Sequence, residues 1–246
     1  MPTLTDAITT PDGTCPATVC TPDGVGPWPG IVMYPDAGGA RAAFRDMAGR
    51  LAALGYVVLV PDVYYRYGAW APFAMSTVFS DAAERGRLFT MMRSITGDVM
   101  ASDARAFFDY LGARPEVTGE RFGTTGYCMG GRTSLMVAGR VPDRVAAAMS
   151  FHGGGLAGED PDSPHLLADH IRAAVYVGAA ENDPSYTPEQ SATLEAALTG
   201  AGVQHVIEWY PAGHGFAVSD NAPYEAAAAE RHWAAMESFF GAHLPR

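Results

Sequence analysis

Residues 121–140, RFGTTGYCMGGRTSLMVAGR, decide the fold. The first eight residues are typical of a buried strand, and residues 129–140 have the composition of a helix. Between them, Gly126 to Gly130 form the pattern G-x-C-x-G at the strand-to-helix junction. In the related pattern G-x-S-x-G, the glycines permit a sharp turn that exposes the central side chain above the sheet. The stretch therefore predicts a nucleophile elbow with Cys128 at its tip.

The position of Cys128 suits chemistry but leaves two simpler interpretations open. A helix that begins at Met129 directs its backbone N–H groups and its positive end toward the sulfur, which favours a thiolate and a developing oxyanion. Alternatively, cysteine is a small side chain packed at a glycine-rich turn, or a thiol that senses oxidants. The other two cysteines, Cys15 and Cys20, lie far away near the start of the chain.

On both sides of this stretch, apolar strands alternate with helical patterns. Such strands, flanked by helices along the chain, predict an α/β fold with a mostly parallel central sheet and helices on both faces. Ligands in sheets of this kind bind beyond the carboxyl ends of the strands. We predict a single domain over residues 1–246. The expected strands are residues 30–35, 56–62, 121–128, 145–153, 173–183 and 203–213, and the expected helices are 44–55, 98–113, 129–140, 188–202 and 223–244.

One segment, residues 63–97, interrupts the alternation. It is rich in aromatic residues, methionine and arginine, and it is long for a connection. Connections of this length are usually functional or contain their own secondary structure. We expect a short helix around residues 81–93 and an aromatic wall over the strand ends.

Two further residues of catalytic type follow strands in the expected order. Asp183 comes after the strand that ends near Gly178, and His214 comes after the next strand. Nucleophile, acid and then histidine is the chain order of the α/β-hydrolase fold. Glu181 competes with Asp183 for the acid role, and Asp183 could instead be a turn former. His214 lies between two glycines, which offer no core packing for a structural histidine.

The motifs GYCMGGR, AAENDPSYTPE and YPAGHGF together resemble the dienelactone hydrolase family, over roughly residues 30–240. The resemblance implies an α/β-hydrolase that cleaves an ester or lactone through a Cys128-His214-Asp183 triad and a thioester. It also implies an oxyanion hole formed by the backbone N–H groups of Ala37 and Met129. A non-catalytic ligand-binding protein on the same scaffold is the alternative.

The resemblance extends to the substrate pocket, where this chain differs from the family's founding enzymes at two positions. The family's founding enzymes have a glutamate in the first turn, where this chain has Asp36, and an arginine four residues after the histidine, where it has Val218. Asp36 could equally be an Asx-turn residue. The resemblance places Arg85 in the pocket, with Arg87 as its rival. The remaining candidates for the pocket are His152, which could also be a structural loop histidine, and Phe216.

Composition limits the partners. With 48 % hydrophobic and 17 % charged residues and a formal net charge of −11, the chain is typical of a compact enzyme and repels nucleic acid and anionic membranes. No run reaches the roughly 20 apolar residues that span a bilayer. The beginning lacks a signal-peptide pattern, so we expect a cytoplasmic protein. We expect a small ester or lactone substrate and neither a metal nor an organic cofactor, and the sequence gives no oligomeric state.

Overall fold

The structure, a computed structural model, describes residues 1–244. Its centre is a sheet of eight strands in the order β1-β2-β4-β3-β5-β6-β7-β8. The first two strands pair antiparallel with each other and β2 pairs antiparallel with β4, whereas every pair from β4 to β8 is parallel. The strands are β1 (Thr3–Thr10), β2 (Gly13–Cys20), β3 (Trp28–Tyr34), β4 (Val57–Pro61), β5 (Val117–Tyr127), β6 (Val145–Phe151), β7 (Ala174–Asn182) and β8 (His205–Gly213).

Six α-helices cover both faces of the sheet. Helices α1 and α6 pack on one face, and α2 to α5 contribute to the core on the other face. The α-helices are α1 (Ala42–Ala53), α2 (Ala82–Arg93), α3 (Gly97–Gly112), α4 (Met129–Arg140), α5 (Pro188–Gly200) and α6 (Ala226–His243), with short 3₁₀ helices at Tyr65–Tyr67 and Pro164–His170. This confirms the expected mostly parallel sheet with helices on both faces.

The central strands are buried because helices cover them on both sides. In β3 all residues from Pro29 to Tyr34 are buried, and all five residues of β4 are buried. This explains why these strands read as continuous apolar runs rather than as alternating patterns. Helix α4 begins and ends at the predicted residues, and the other predicted elements differ from the observed ones by a few residues at their ends.

The hairpin formed by β1 and β2 is absent from the sequence-based prediction. Its strands alternate between exposed and buried residues over part of their length, as expected for the border of a sheet. Residues 10–13, Thr-Pro-Asp-Gly, form the turn between them, and such a Pro-Asp-Gly sequence is a turn signal. Cys15 and Cys20 are both buried in β2, three places from β5 in the sheet.

Parallel pairing brings the loops after β3, β5, β6, β7 and β8 to one edge of the sheet. Tyr34 lies opposite Gly126, Tyr127 opposite Phe151, and Phe151 opposite Gly178. The loops that carry Asp36, Cys128 and the other candidates therefore start at neighbouring positions. None of the helices in the described part of the chain is long and apolar enough to cross a bilayer.

Candidate active site

Cys128 lies in the turn that the glycine pattern predicts. Its backbone has φ 54° and ψ −117°, a strained conformation for a residue other than glycine. A Cβ at Gly126 would lie 1.9 Å from the carbonyl oxygen of Gly130, and a Cβ at Gly130 would lie 2.2 Å from that of Tyr34. Only glycine fits at both positions, which lets β5 pass directly into α4. The turn leaves the Cys128 side chain partly exposed at the carboxyl edge of the sheet.

Asp183 and His214 lie together beside the elbow. Nδ1 of His214 is 2.6 Å from Oδ2 of Asp183, and the Asp183 side chain is almost completely buried. Ser185 holds the other carboxylate oxygen, since its backbone N–H and its hydroxyl both donate to Oδ1 at 2.8 and 2.6 Å. Glu181, the rival acid, is exposed and lines a different depression with residues of α5.

The charged form of His214 is stabilised by its neighbours. Burial opposes that form, but hydrogen bonds with Asp183 and Cys128 outweigh it and raise the pKa of His214 to about 10. Burial likewise opposes the charged form of Asp183, yet its contacts with His214 and Ser185 lower the pKa of that carboxyl. The arrangement can therefore hold a proton on the imidazole beside the sulfur.

This arrangement makes stability depend on pH in a defined direction. A free histidine titrates near 6.5, so the stabilisation from protonated His214 is complete below that pH and is lost as the pH rises toward about 10. We expect the difference in free energy of unfolding between the wild-type protein and His214→Gln to shrink between pH 6.5 and 10. Urea unfolding at several pH values measures it, with His205→Gln on β8 as the control. A difference that grows over this interval would contradict the assignment.

A small cavity opens beside Cys128 and His214. Its volume is about 80 Å³, well below the roughly 300–1,000 Å³ of pockets that bury drug-sized ligands. Its walls are mostly apolar, and residues 63–97 contribute two of the side chains. The lining consists of Asp36, Ala37, Met75, Phe79, Cys128, His214, Gly215, Asn221, Ala222 and Pro223.

Asp36 borders the cavity but is fully engaged. Its Oδ1 accepts from the Gly38 N–H at 2.9 Å and from Arg41 at 2.6 Å. Its Oδ2 accepts from Arg41 at 3.0 Å and from Asn221 at 3.1 Å. Arg41 also binds Asp220 with two hydrogen bonds of 2.7 Å. Asp36, Arg41, Asp220 and Asn221, here called the Arg41 cluster, thus connect the loop after β3 to the loop after β8.

The other expected pocket residues lie elsewhere. The Arg85 guanidinium donates to the backbone oxygen of Phe79 at 3.0 Å and does not line the cavity. His152 and Phe216 are completely buried behind His214, and the His152 ring lies 5.2 Å from the His214 ring and 5.3 Å from the Phe216 ring. Val218 is also buried and does not face the cavity.

His152 is held neutral in this position. It has a positive φ of 38°, and neither of its ring nitrogens has a hydrogen-bond partner among residues 1–244. Burial, reinforced by the neighbouring His214, lowers the pKa of His152 well below its usual value. An imidazole in this state packs against the back of His214 without competing for its proton.

Tyr64 contacts the loop after β3 and the start of α4. Its hydroxyl donates to the backbone oxygen of Ala37 at 2.9 Å and lies 3.6 Å from the Met129 sulfur. Trp70 packs edge-on against the Tyr64 ring, with 5.5 Å between the ring centres. Tyr64 therefore fixes the Ala37 peptide relative to the start of α4. Sequence reasoning placed an aromatic wall here without identifying this tyrosine.

Within residues 1–244, the histidine, cysteine and carboxylate side chains form no cluster able to hold a metal ion. Cys15 and Cys20 are buried in β2, so neither lies beside Cys128 as a resolving thiol would. The site therefore contains one accessible thiol, a histidine bound to a carboxylate, and two backbone loops. Such a set can perform nucleophilic attack and proton transfer.

Comparisons with known proteins give a family and several similar proteins. A family model described as the dienelactone hydrolase family matches residues 15–244. A protein from Synechocystis sp., named "Putative carboxymethylenebutenolidase", is 30 % identical over 227 residues that cover 91 % of this chain and 89 % of that protein. The carboxymethylenebutenolidase of Rhodococcus opacus is 29 % identical over 219 residues, covering 87 % of this chain and 81 % of the enzyme. A solved structure titled "m3DLH" superimposes with a TM-score of 0.80 at 27 % identity, covering 98 % of both chains.

Proposed function

The chain belongs to the dienelactone hydrolase family, and we propose that it cleaves an ester or lactone through nucleophilic attack by Cys128. The observation that carries this proposal is the 2.6 Å contact of Asp183 with His214, which lines the same cavity as Cys128. A nucleophile, a base within reach of it and a third group that orients the base are the minimum for covalent catalysis of acyl transfer. Family membership favours this hydrolase over a non-catalytic binding protein.

The first half of the reaction forms a thioester. His214 takes the thiol proton of Cys128, and the sulfur attacks the carbonyl carbon while the carbonyl electrons move to oxygen. Collapse of the tetrahedral intermediate breaks the bond to the leaving oxygen. That alkoxide or enolate receives the proton held by His214, and the acyl group stays on sulfur. With a lactone, the released hydroxyl group remains part of the same acyl chain.

The second half regenerates the enzyme. His214 removes a proton from water, and the resulting hydroxide adds to the thioester carbonyl. The second tetrahedral intermediate expels the Cys128 thiolate and releases the carboxylic acid, and His214 returns its proton. Asp183 stabilises the imidazolium in both halves and fixes the imidazole orientation, because its carboxylate accepts the Nδ1 proton.

Two backbone groups are proposed to bind the oxyanion. Met129 is the first residue of α4, and the first N–H groups of a helix have no carbonyl partner within the helix. Ala37 lines the same cavity as Cys128, and Tyr64 holds its peptide by the hydrogen bond to its carbonyl oxygen. Removal of one such preorganised N–H donor typically lowers kcat by a factor of about 10²–10³.

Asp36 is proposed to hold the loop after β3 in place. Its two oxygens accept four hydrogen bonds from Gly38, Arg41 and Asn221. A carboxylate that is so fully engaged has little capacity to accept the thiol proton, because a bond to Arg41 or Asn221 would have to break. We therefore assign proton transfer at Cys128 to His214 alone.

Alkylation of the thiol tests the proposal in the unmodified sequence. We expect iodoacetamide to label Cys128 selectively, because Cys15 and Cys20 are buried and serve as internal controls. Hydrolysis of p-nitrophenyl acetate should fall in proportion to the labelled fraction of Cys128, determined by peptide mapping, and the substrate should slow labelling. Full activity after complete labelling of Cys128 would contradict the proposal.

A further inference from the structure

Behind Asp36, which lines the cavity beside Cys128, lies an arginine whose charge is already paired. Arg41 donates its Nε–H to Asp220, its two Nη1 donors to Asp36 and to the Gly39 carbonyl, and its two Nη2 donors to Asp36 and Asp220. A guanidinium has five N–H donors, so each has an acceptor. Because two carboxylates surround one guanidinium, the Arg41 cluster has a net charge of about −1.

Two arginines of residues 63–97, the candidates for a carboxylate clamp, are engaged elsewhere. Arg85 donates to the Phe79 backbone oxygen, on the outer side of the segment. Arg87 pairs with Glu84 at 2.7 Å, donates to the Ala71 backbone oxygen, and lies 3.9 Å from the centre of the Phe73 ring. Neither lines the cavity. Arg66 and Arg93, the other arginines of residues 63–97, do not line it either, so within residues 1–244 the segment offers the cavity no cation.

The remaining positive charge in the cavity is that of His214, and it is shared between Asp183 and the Cys128 sulfur. The side chains opposite are apolar: Met75 and Phe79 come from the segment above, and Ala222 and Pro223 from the loop after β8. A carboxylate that enters this space loses water and finds no cation that is not already paired. Such burial of an unpaired charge is strongly unfavourable.

From these contacts we infer that the site accepts a short, uncharged acyl group or an uncharged lactone ring and rejects substrates that carry a carboxylate. The volume of about 80 Å³ limits the acyl chain, and the charged member of the Arg41 cluster that lines the cavity is the carboxylate of Asp36, where a carboxylate clamp would need a cation. Met75 and Phe79 act as specificity-determining residues because they form the apolar wall. The inference rests on the proposed function, since it names the substrate class of the same site.

A pair of matched substrates tests the inference. The two substrates are a carboxymethylene-substituted butenolide with a free carboxylate and its methyl ester, and the reaction followed is cleavage of the lactone bond. We expect the kcat/KM of the wild-type protein to be about 100-fold higher for the methyl ester than for the free carboxylate. Phe79 lines the cavity and is 53 % exposed, so a lysine there can remain hydrated. Phe79→Lys should raise kcat/KM for the carboxylate about 10-fold relative to Phe79→Gln, its uncharged control. Equal rates for the two substrates, or a preference for the carboxylate, would overturn the inference.

A second pair of probes separates this inference from the proposed hydrolysis. Iodoacetamide and iodoacetate differ in charge and both alkylate a thiol, whether or not the protein hydrolyses esters. We expect the rate ratio of iodoacetamide to iodoacetate at Cys128 to exceed that of free glutathione by about 10-fold. If this holds but no ester is cleaved, the proposed function fails and the charge discrimination stands. If esters are cleaved but the rate ratio of iodoacetamide to iodoacetate at Cys128 equals that of glutathione, the inference fails and the proposed function stands.

Discussion

Replacement of Cys128 with alanine is expected to lower kcat/KM for p-nitrophenyl acetate by about 10⁴-fold or more. Without the sulfur no thioester forms, and the oxyanion donors with His214 can at best assist direct attack by water. Alanine fits the elbow as well as cysteine does, because both have the same Cβ in the strained conformation with φ 54°. The fold should therefore persist, as measured by circular dichroism and urea unfolding.

The control for this variant is Cys20→Ala. Cys20 is buried in β2, three places from β5 in the sheet, and its sulfur contacts Thr3. Its replacement should leave kcat/KM close to the wild-type value. A folded Cys128→Ala protein that retains a tenth of the wild-type activity would rule out sulfur as the nucleophile.

Replacement of Asp183 with asparagine is expected to lower kcat by about 10⁴-fold. In the wild-type protein the Asp183 carboxylate accepts the Nδ1 proton of His214 at 2.6 Å. In the variant the asparagine amide can donate to Nδ1 instead. The imidazole would then carry its proton on Nε2, and it could no longer accept the proton of Cys128. Steady-state hydrolysis of p-nitrophenyl acetate at neutral pH measures the loss.

Glu181→Gln is the matched control, since it makes the same chemical change two residues earlier. Glu181 is exposed and lies away from the cavity that holds Cys128. We expect its replacement to leave kcat within a few-fold of the wild-type value. A large loss in Glu181→Gln together with near-normal activity in Asp183→Asn would assign the acid role to Glu181 instead.

The central features of the fold were predictable because they depend on local sequence. Buried parallel strands read as apolar runs, and the glycines around Cys128 predict the sharp turn that the backbone makes. The order of Cys128, Asp183 and His214 along the chain indicated the α/β-hydrolase fold, and parallel pairing explains why these residues meet. The sequence favoured Asp183 over Glu181 because the acid of this fold usually lies several residues past the strand, and in the structure Asp183 is the carboxylate that contacts His214.

The β1–β2 hairpin was missed although a signal existed. Pro11-Asp12-Gly13 marks a turn between two segments of partly alternating polarity, and a search for hairpins would have found it. The strands contain threonine, proline and cysteine rather than a continuous apolar run. Their burial comes from the pairing of β2 with β4 and from packing at the border of the sheet, which are long-range contacts.

The character of the pocket could not be predicted from the sequence. Arg41 and Asp220 are 179 positions apart, and nothing in a single sequence indicates which of many acidic residues a given arginine will bind. The placement of Arg85 depended on a loose correspondence with the family, and in the structure its guanidinium binds the Phe79 backbone oxygen. Specificity depends on such contacts between distant loops, so it emerges only once the chain is folded.

The most direct test of the account is to observe the covalent intermediate. The wild-type protein is mixed with p-nitrophenyl acetate, quenched with acid within the first turnover, and digested with trypsin. We predict one acetyl group on Cys128 in the peptide of residues 122–132, labile to hydroxylamine as a thioester is, and decaying at the rate of turnover. Release of p-nitrophenolate in the first turnover with Cys128 unmodified throughout, or with the acetyl group on another residue, would contradict the account.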